Sequence, residues 1–170
     1  MWIGNNRLNI YPNADRGSGG VGLLVKNKLV DHFICTVVDK NFEGILWTRF
    51  TRKLIMICAC YLPPEGSSQG NNQEALFTTL LSHVYMYTND SPYWIMGDFN
   101  KRIGDRQDVD FNIDPDIPKR VGIDKVFRGG EMFMDFLKDS RTYVLNGRFE
   151  SCKDNYTCLT NRGQSVRLVV

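Results

Sequence analysis

The sequence predicts a single α/β domain in which strands lead and two helices are interposed. Strand-like runs rich in β-branched and aromatic residues fill the first half of the chain. Two runs, 54–62 and 92–99, are largely apolar on both faces, which a solvent-facing sheet would not tolerate. We therefore expect them to be adjacent central strands between covering layers. With 170 residues, 42% of them hydrophobic, the chain is long enough to bury a core.

The elements of the first half follow in a simple order. Four strands, which should form a meander, are expected over 20–26, 33–39, 44–50 and 54–62. Asn71 and Glu74 match a helix-capping arrangement, and apolar residues recur after them at helical spacing. The first helix should therefore run to about Thr88.

The second half is predicted to alternate between loop, helix and strand. A long polar loop with two prolines is expected over 101–128. A second helix, over about 130–138, has four apolar residues on one side, namely Met132, Phe133, Phe136 and Leu137. Three strands should end the chain, over 142–149, 156–160 and 165–170.

Composition excludes several classes of protein. The formal charge is only +2, so a nucleic-acid partner would have to be held by local clusters rather than by a global field. No run of about 18 uncharged apolar residues could span a bilayer, and the start of the chain lacks the pattern of a secretory signal. We expect a soluble, intracellular protein with no membrane partner.

The five cysteines form no Cys-x-x-Cys pair. Cys58 and Cys60 alternate along an apolar run and would share one face of a strand. Because cysteine packs as a small hydrophobe, we expect reduced, buried thiols rather than a disulfide or a zinc site.

Three other patterns do not support a functional site. The glycines of 17–22 match G-x-G-x-x-G, but a strand follows where a dinucleotide site needs a helix, so we expect a flexible turn. An EF-hand register started at Asp108 puts Ile113 in place of the required glycine, so we expect a solvated acidic loop. Neither His32 nor His83 lies beside a nucleophile in a catalytic pattern, and His83 should pack or lie at the surface.

The tetrapeptide at 97–100 is the segment that can carry chemistry. Asp98 and Asn100 directly follow a predicted buried strand, so a carboxylate and an amide lie on the same side of its end. A hard cation prefers such oxygen ligands. Asp and Asn also cap turns, so the residues alone leave both interpretations open.

Six short blocks carry a resemblance to a known family. In chain order they are Gly-Gly-Val-Gly-Leu-Leu-Val at 19–25, Phe-Glu-Gly-Ile-Leu-Trp at 42–47, Cys-Tyr-Leu-Pro-Pro at 60–64, Trp-Ile-Met-Gly-Asp-Phe-Asn at 94–100, Val-Leu-Asn-Gly-Arg-Phe at 144–149 and Tyr-Thr-Cys-Leu-Thr at 156–160. Their order and spacing resemble the endonuclease/exonuclease/phosphatase superfamily. More narrowly, they resemble the apurinic-type endonuclease domain of LINE-like (non-LTR) retrotransposons.

The resemblance implies a four-layered α/β sandwich that hydrolyses phosphodiesters with Mg²⁺. It implies that Tyr61 helps to bind the reacting phosphate, and that Asp98 and Asn100 orient the attacking water and stabilise the pentacovalent phosphate. The residues suit these roles, because a carboxylate takes a proton from water and an amide donates to developing charge. Thr157 matches a family position that lines the DNA site. We expect Asp98, Asn100 and Tyr61 to converge on one cleft.

The sequence departs from the family pattern at both ends. Nothing before Gly19 resembles the family's Gln-Glu strand, whose glutamate is the main metal ligand, and Glu43 lies in a different block and cannot replace it. Leu168 stands where the family has an aspartate, and Val170 precedes the point at which the family's Ser-Asp-His would follow. We expect a poorly defined segment over 1–18 and the central portion of the domain over 19–170. The sandwich would be incomplete at both ends, and the metal ligands stay unassigned.

Three functions follow as expectations. The first is a fragment related to the Mg-dependent DNA-nicking endonuclease of retrotransposons, nuclear if it acts on DNA, with a reverse transcriptase domain in the intact gene product. Five arginines could follow a phosphate backbone, with a solvated face as the alternative, namely Arg102, Arg106, Arg120, Arg128 and Arg162. The second is a catalytically inactive remnant with at most a binding role. The third is a phosphatase or sphingomyelinase of the same superfamily.

Overall fold

The computed structural model describes residues 1–7, 19–52, 54–67, 72–89, 91–121 and 130–148, with two short strands at 158–160 and 163–165. The elements in these ranges are β1 Trp2–Asn5, β2 Val21–Leu24, α1 Asn27–Val30, β3 Cys35–Asp39, β4 Ile45–Phe50, β5 Ile55–Tyr61, α2 Gln73–Tyr87, β6 Tyr93–Asp98, α3 Gly130–Asp139, β7 Cys158–Thr160 and β8 Gly163–Ser165. No helix among them is long and apolar enough to cross a bilayer. Two compact units are present, Met1–Tyr61 with Ser82–Gly97, and Leu62–Leu81 with Asp98–Val170.

The first unit contains most of a four-stranded mixed sheet with the order β3-β4-β5-β6. β4 pairs antiparallel with both β3 and β5. Because the sheet is mixed, the remaining pair of β5 and β6 is parallel, and α2 supplies the crossover that a parallel pair needs. At the start of β5, the N–H of Met56 donates to the carbonyl of Pro92 at 3.0 Å. The predicted α/β class and the adjacency of the two apolar strands are confirmed.

The predicted central position is confirmed for β5, whereas in the described part of the chain β6 lies at the edge of the sheet. β5 lies between two neighbours, whereas β6 ends the sheet within the residues that the structure describes, and its Trp94 is 48% exposed. The strand that is most buried on both faces is β4, with Ile45, Leu46 and Trp47 fully inaccessible. β5 buries one face fully and the other only halfway. A run of apolar residues marks burial, but it does not say which strand of a sheet is covered most completely.

An N-terminal strand that the sequence patterns did not predict pairs with β2. β1 and β2 form a separate antiparallel sheet, with Ile3 opposite Leu23. β2 therefore does not join the predicted meander, which in the described chain consists of β3, β4 and β5. The carboxamide of Asn5 donates to the carbonyls of Phe42 and Ile45, at 3.0 and 2.8 Å, and so ties β1 to the start of β4.

The thiols of β5 are as predicted. Cys58 and Cys60 are buried on one face of the strand and are free, and Cys35 is free and half-buried. Burial raises the pKa of the Cys60 thiol to about 12 and holds the pKa of Cys58 well above its ordinary value. Both therefore pack as protonated, apolar groups. The side chains of the remaining two cysteines, Cys152 and Cys158, lie outside the described part of the structure.

The second unit is built on a cluster of phenylalanines. Phe133 of α3 stacks on Phe99 with ring centroids 4.9 Å apart, and Phe77 of α2 contacts both Phe133 and Phe136. The predicted apolar side of α3 is largely confirmed, since Phe133, Phe136 and Leu137 are buried. The prediction that Met132 lies on that side is wrong. Met132 is 36% exposed, and Met134 is buried instead.

The loop over 101–121 is organised around a buried ion pair. Asp108 and Arg148 are both inaccessible and contact each other, and Asp108 also accepts the N–H of Val144. Arg148 further donates to the carbonyls of Val144 and Pro118. The expectation of a solvated acidic loop is therefore wrong at Asp108. The strand expected over 142–149 is absent through residue 148, because the polar groups of this segment bond to the loop rather than to a sheet.

The approach of β5 to β6 makes Gly97 irreplaceable. Gly97 has φ +154°, and a Cβ added there would lie 1.7 Å from the carbonyl oxygen of Cys60. We expect Gly97→Ala to lower the free energy of unfolding by about 3 kcal/mol, because the strands would have to separate. Gly66→Ala is the control. Gly66 also has positive φ, but nothing lies near its added Cβ, so about 1 kcal/mol is expected. Urea denaturation measures both, and equal losses would contradict the packing argument.

The buried pair yields a second prediction. Arg148→Met keeps much of the side-chain volume but leaves the Asp108 carboxylate buried without its cation, so we expect a loss of about 3–5 kcal/mol in unfolding free energy. Glu131→Gln removes the exposed pair of Arg106 with Glu131, whose N–O distance is 3.7 Å, and should cost less than about 1 kcal/mol. Thermal or urea unfolding compares the two. A loss at Arg148 as small as that at Glu131 would show that the buried pair does not stabilise the loop.

Candidate functional site

Asp98 and Asn100 form a tight turn at the end of β6. Asp98 is the last residue of the strand, and its Oδ1 accepts the backbone N–H of Asn100 at 3.0 Å. Asn100 has φ +46°, in the left-handed region that few residues other than glycine adopt and in which asparagine is enriched. The turn therefore depends on both residue types, and it places their side chains on one strand end.

The chain segment that follows β5 is bound to this turn. The N–H of Leu62 donates to the carbonyl of Asp98 at 2.9 Å, and the carboxamide of Asn100 donates to the carbonyl of Leu62 at 2.9 Å. Between the two polar residues, Phe99 is fully buried in the phenylalanine cluster. The packing of Phe99 and the hydrogen bonds to Leu62 thus hold the site residues in place.

A buried lysine next to the turn was missed by sequence reasoning. Lys101 is only 2% exposed, and its Nζ lies 2.7 Å from Oε1 of Glu65 and 2.5 Å from Oε1 of Gln73. A lysine that opens a polar loop is normally read as solvated, and no spacing in the sequence indicates that its partners lie 36 and 28 residues away. This contact is visible only in the folded chain.

The predicted site residues fall in different parts of the structure. Asp98 and Asn100 both belong to the second unit, where the Asp98 carboxylate accepts the backbone N–H of Asn100. Tyr61 is the last residue of β5 and belongs to the first unit, so its convergence with them stays a prediction. Thr157 lies outside the described residues, as do Leu168 and Val170.

The described residues do not make a complete metal site. They contain no group of three or more His, Cys, Asp or Glu side chains close enough to hold an ion, and the turn offers one carboxylate and one amide. Glu43, excluded as a ligand on sequence grounds, belongs to the first unit and pairs with Arg7 at 2.5 Å. Mg²⁺ usually keeps several waters and is bound through one or two carboxylates, so Asp98 would supply one ligand to such an ion and the turn alone does not complete its coordination.

The arginines proposed to contact a phosphate backbone differ in how deeply they are buried. Arg120 is 5% exposed and donates to the carbonyls of Gly104 and Arg106, and burial lowers the pKa of its guanidinium. It therefore stabilises the loop rather than facing a partner. Arg106 is more accessible and pairs with Glu131. Arg128 and Arg162 lie outside the described residues.

A second polar cluster, in the first unit, contains His83. Nε2 of His83 lies 4.0 Å from Oδ1 of Asp39, and the hydroxyl of Tyr87 donates to the same carboxylate at 3.3 Å. The side chain of His83 is 12% exposed, and its Nδ1 is buried with no hydrogen-bond partner among the described residues. This arrangement matches the packing role predicted for His83, since its ring packs against that of Tyr87 with centroids 5.0 Å apart, and the Tyr87 hydroxyl bonds to Asp39.

Comparison with protein-family models and with curated proteins identifies no relative of this chain. No protein-family model matches this sequence, and no curated protein matches it. The functional assignment therefore depends on the residues of the Asp98 turn and on the resemblance that the sequence carries.

Burial of His83 predicts that stability depends on pH. Burial lowers the pKa of His83, with the Asp39 carboxylate opposing in part. The folded chain then binds this proton less readily than the unfolded chain, where histidine has a pKa of about 6.5. The contribution of His83 is full above about pH 6.5 and is lost as the pH falls below it. His83→Gln should flatten the unfolding free energy between about pH 7 and pH 5. The exposed His32→Gln is the control, and parallel curves for His83→Gln and the parent chain would contradict the interpretation.

Proposed function

We propose that the chain is the central portion of an endonuclease/exonuclease/phosphatase-type domain related to the DNA-nicking endonucleases of LINE-like retrotransposons. The proposal includes the four-layered sandwich as fold, DNA phosphodiesters as substrate class and Mg²⁺ as the family's cofactor. It also includes a reverse transcriptase domain in the intact gene product. Support comes from the mixed α/β architecture and from the six sequence blocks in their order.

The observation that carries the proposal is the held geometry of Asp98 and Asn100. The pair sits directly after Gly97, which no larger residue can replace, and before Phe99, which is fully buried. Asn100 keeps a backbone conformation that is uncommon outside glycine, and such conformations cluster at functional sites. Polar groups fixed in this way need little reorganisation during a reaction, which is the main source of electrostatic catalysis.

Each residue has a defined role in the proposed reaction. Asp98 takes a proton from the attacking water, and Tyr61 binds the reacting phosphate. The water oxygen bonds to phosphorus as the P–O bond to the leaving sugar oxygen breaks, and that oxygen takes a proton from solvent. A carboxamide has two N–H groups, and that of Asn100 uses one on the carbonyl of Leu62. The other N–H is assigned to the negative charge that develops on the phosphate, where a neutral donor stabilises without adding charge of its own.

A second candidate is a catalytically inactive remnant. It is favoured by the hydrogen bond from the N–H of Asn100 to Asp98, which is the bond that a turn-capping role requires. Both candidate functions have the same fold. They differ in whether the Asp98 turn takes part in catalysis or only caps the strand end.

We expect these 170 residues not to nick supercoiled plasmid DNA in the presence of Mg²⁺. Three roles of the family pattern lack a residue in this sequence, namely the glutamate that holds the metal, the aspartate where Leu168 stands and the catalytic histidine. Loss of one positioned acid or base costs about 10²–10⁴ in rate, and the losses should compound. Agarose gels of relaxed and supercoiled plasmid provide the measurement.

The variant Asp98→Ala distinguishes the possible results of the plasmid-nicking assay. Nicking by the parent chain that disappears in Asp98→Ala would overturn the inactive state and show that Asp98 belongs to a complete site. Nicking that survives the substitution would come from a contaminating nuclease. A fused chain that supplies the family's Gln-Glu strand and Ser-Asp-His segment should nick if the proposed domain is correct, and its inactivity after correct folding would count against the proposal.

A further inference from the structure

Lys101 lies directly after the Asp98 turn and is buried with its charge. Its ammonium lies 2.7 Å from the Glu65 carboxylate, which is 45% exposed, and it also donates to the side-chain oxygen of Gln73. The amide nitrogen of Gln73 in turn donates to the carbonyl of Pro63 at 3.4 Å. We call Lys101, Glu65 and Gln73 the Lys101 cluster. It links the residue after Asn100 to two points on the segment 62–67.

A turn that the local sequence specifies places Glu65 next to Lys101. The N–H of Ser67 donates to the carbonyl of Pro64 at 3.2 Å, and the Ser67 hydroxyl donates to the same oxygen at 2.7 Å. Gly66 has φ +77°, as expected for the third residue of a turn that needs a left-handed conformation. The position of the carboxylate is therefore set before the ion pair forms, which reduces the entropy lost in forming it.

The segment 62–67 is consequently held to the end of β6 at two places. At Leu62, the backbone bonds to the carbonyl of Asp98 and to the carboxamide of Asn100. At Glu65, three residues further on, the carboxylate bonds to Lys101. Two attachments on the same short segment restrict both its distance from the turn and its rotation about it.

We propose that Lys101 is a positioning residue of the candidate site, which keeps segment 62–67 in register with the Asp98 turn and thereby orients the carboxamide of Asn100. This inference rests on the proposed function for its catalytic meaning. Packing alone does not call for a lysine here, since a buried ammonium is unfavourable unless it is paired and hydrogen-bonded. A charged group with two fixed acceptors specifies one register, whereas an apolar side chain would tolerate several.

The experiment follows the side-chain amide of Asn100 by NMR in the folded chain. The variants are Lys101→Met, which keeps the stem and removes the charge, and Glu65→Gln, which changes only the exposed partner. Glu131→Gln is the matched control, because it removes an exposed ion pair from the same unit. The carboxamide of Gln107, which donates to the carbonyls of Asp105 and Arg120 at 2.8 Å, is the internal reference.

We expect the Asn100 carboxamide to shift and to exchange with solvent about tenfold faster in Lys101→Met, and to change in the same direction in Glu65→Gln, while Gln107 is unaffected. A merely structural lysine would lower stability and speed exchange at Asn100 and Gln107 alike, and that result would overturn the proposal. An Asn100 signal identical to the parent chain in either folded variant would also overturn it. The readout needs no turnover, so a failure to nick DNA in the fused chain bears on the proposed function and not on the role of Lys101.

Discussion

The contact between Gly97 and the carbonyl of Cys60 is the constraint on which the sheet depends. A glycine within a strand can mark a place where another backbone approaches closely, and here the available space excludes even a methyl group. Glycine at this position permits β6 to run beside β5 up to its last residue. The polar residues that follow are then carried by a rigid strand end rather than by a free loop, which is the condition for a preorganised site.

The buried charges of the second unit fix irregular backbone. Arg148 and Asp108 are both fully buried, and Lys101 is buried against a half-exposed Glu65. Removing one partner of such a pair leaves an uncompensated charge, so each pair strongly disfavours rearrangement of its loop even where its net contribution to stability is small. Long segments without regular secondary structure therefore acquire defined positions. Arg120, one of the arginines proposed to follow a phosphate backbone, is likewise buried and donates to carbonyls of this loop.

The Asp98 turn shows why a structural and a catalytic role are compatible. An aspartate that accepts the next-but-one backbone N–H closes the turn, and the same bond orients its carboxylate. An asparagine in the left-handed region completes the turn, and its carboxamide is then anchored to Leu62. Chemistry requires further groups that meet this pair, and their presence distinguishes an enzyme from a remnant that retains the fold.

The sequence by itself determined the elements and the local chemistry. Periodicity located β3 to β6, α2 and α3, since each depends on residues near one another in the chain, and Gly-Asp-Phe-Asn located the turn for the same reason. Only the tertiary structure decided that β2 pairs with β1, that β4 is the strand most covered, and that Lys101 and Asp108 are buried. Their partners lie tens of residues away, and whether a charged or apolar side chain is exposed depends on which distant segment covers it. No local pattern contains that information.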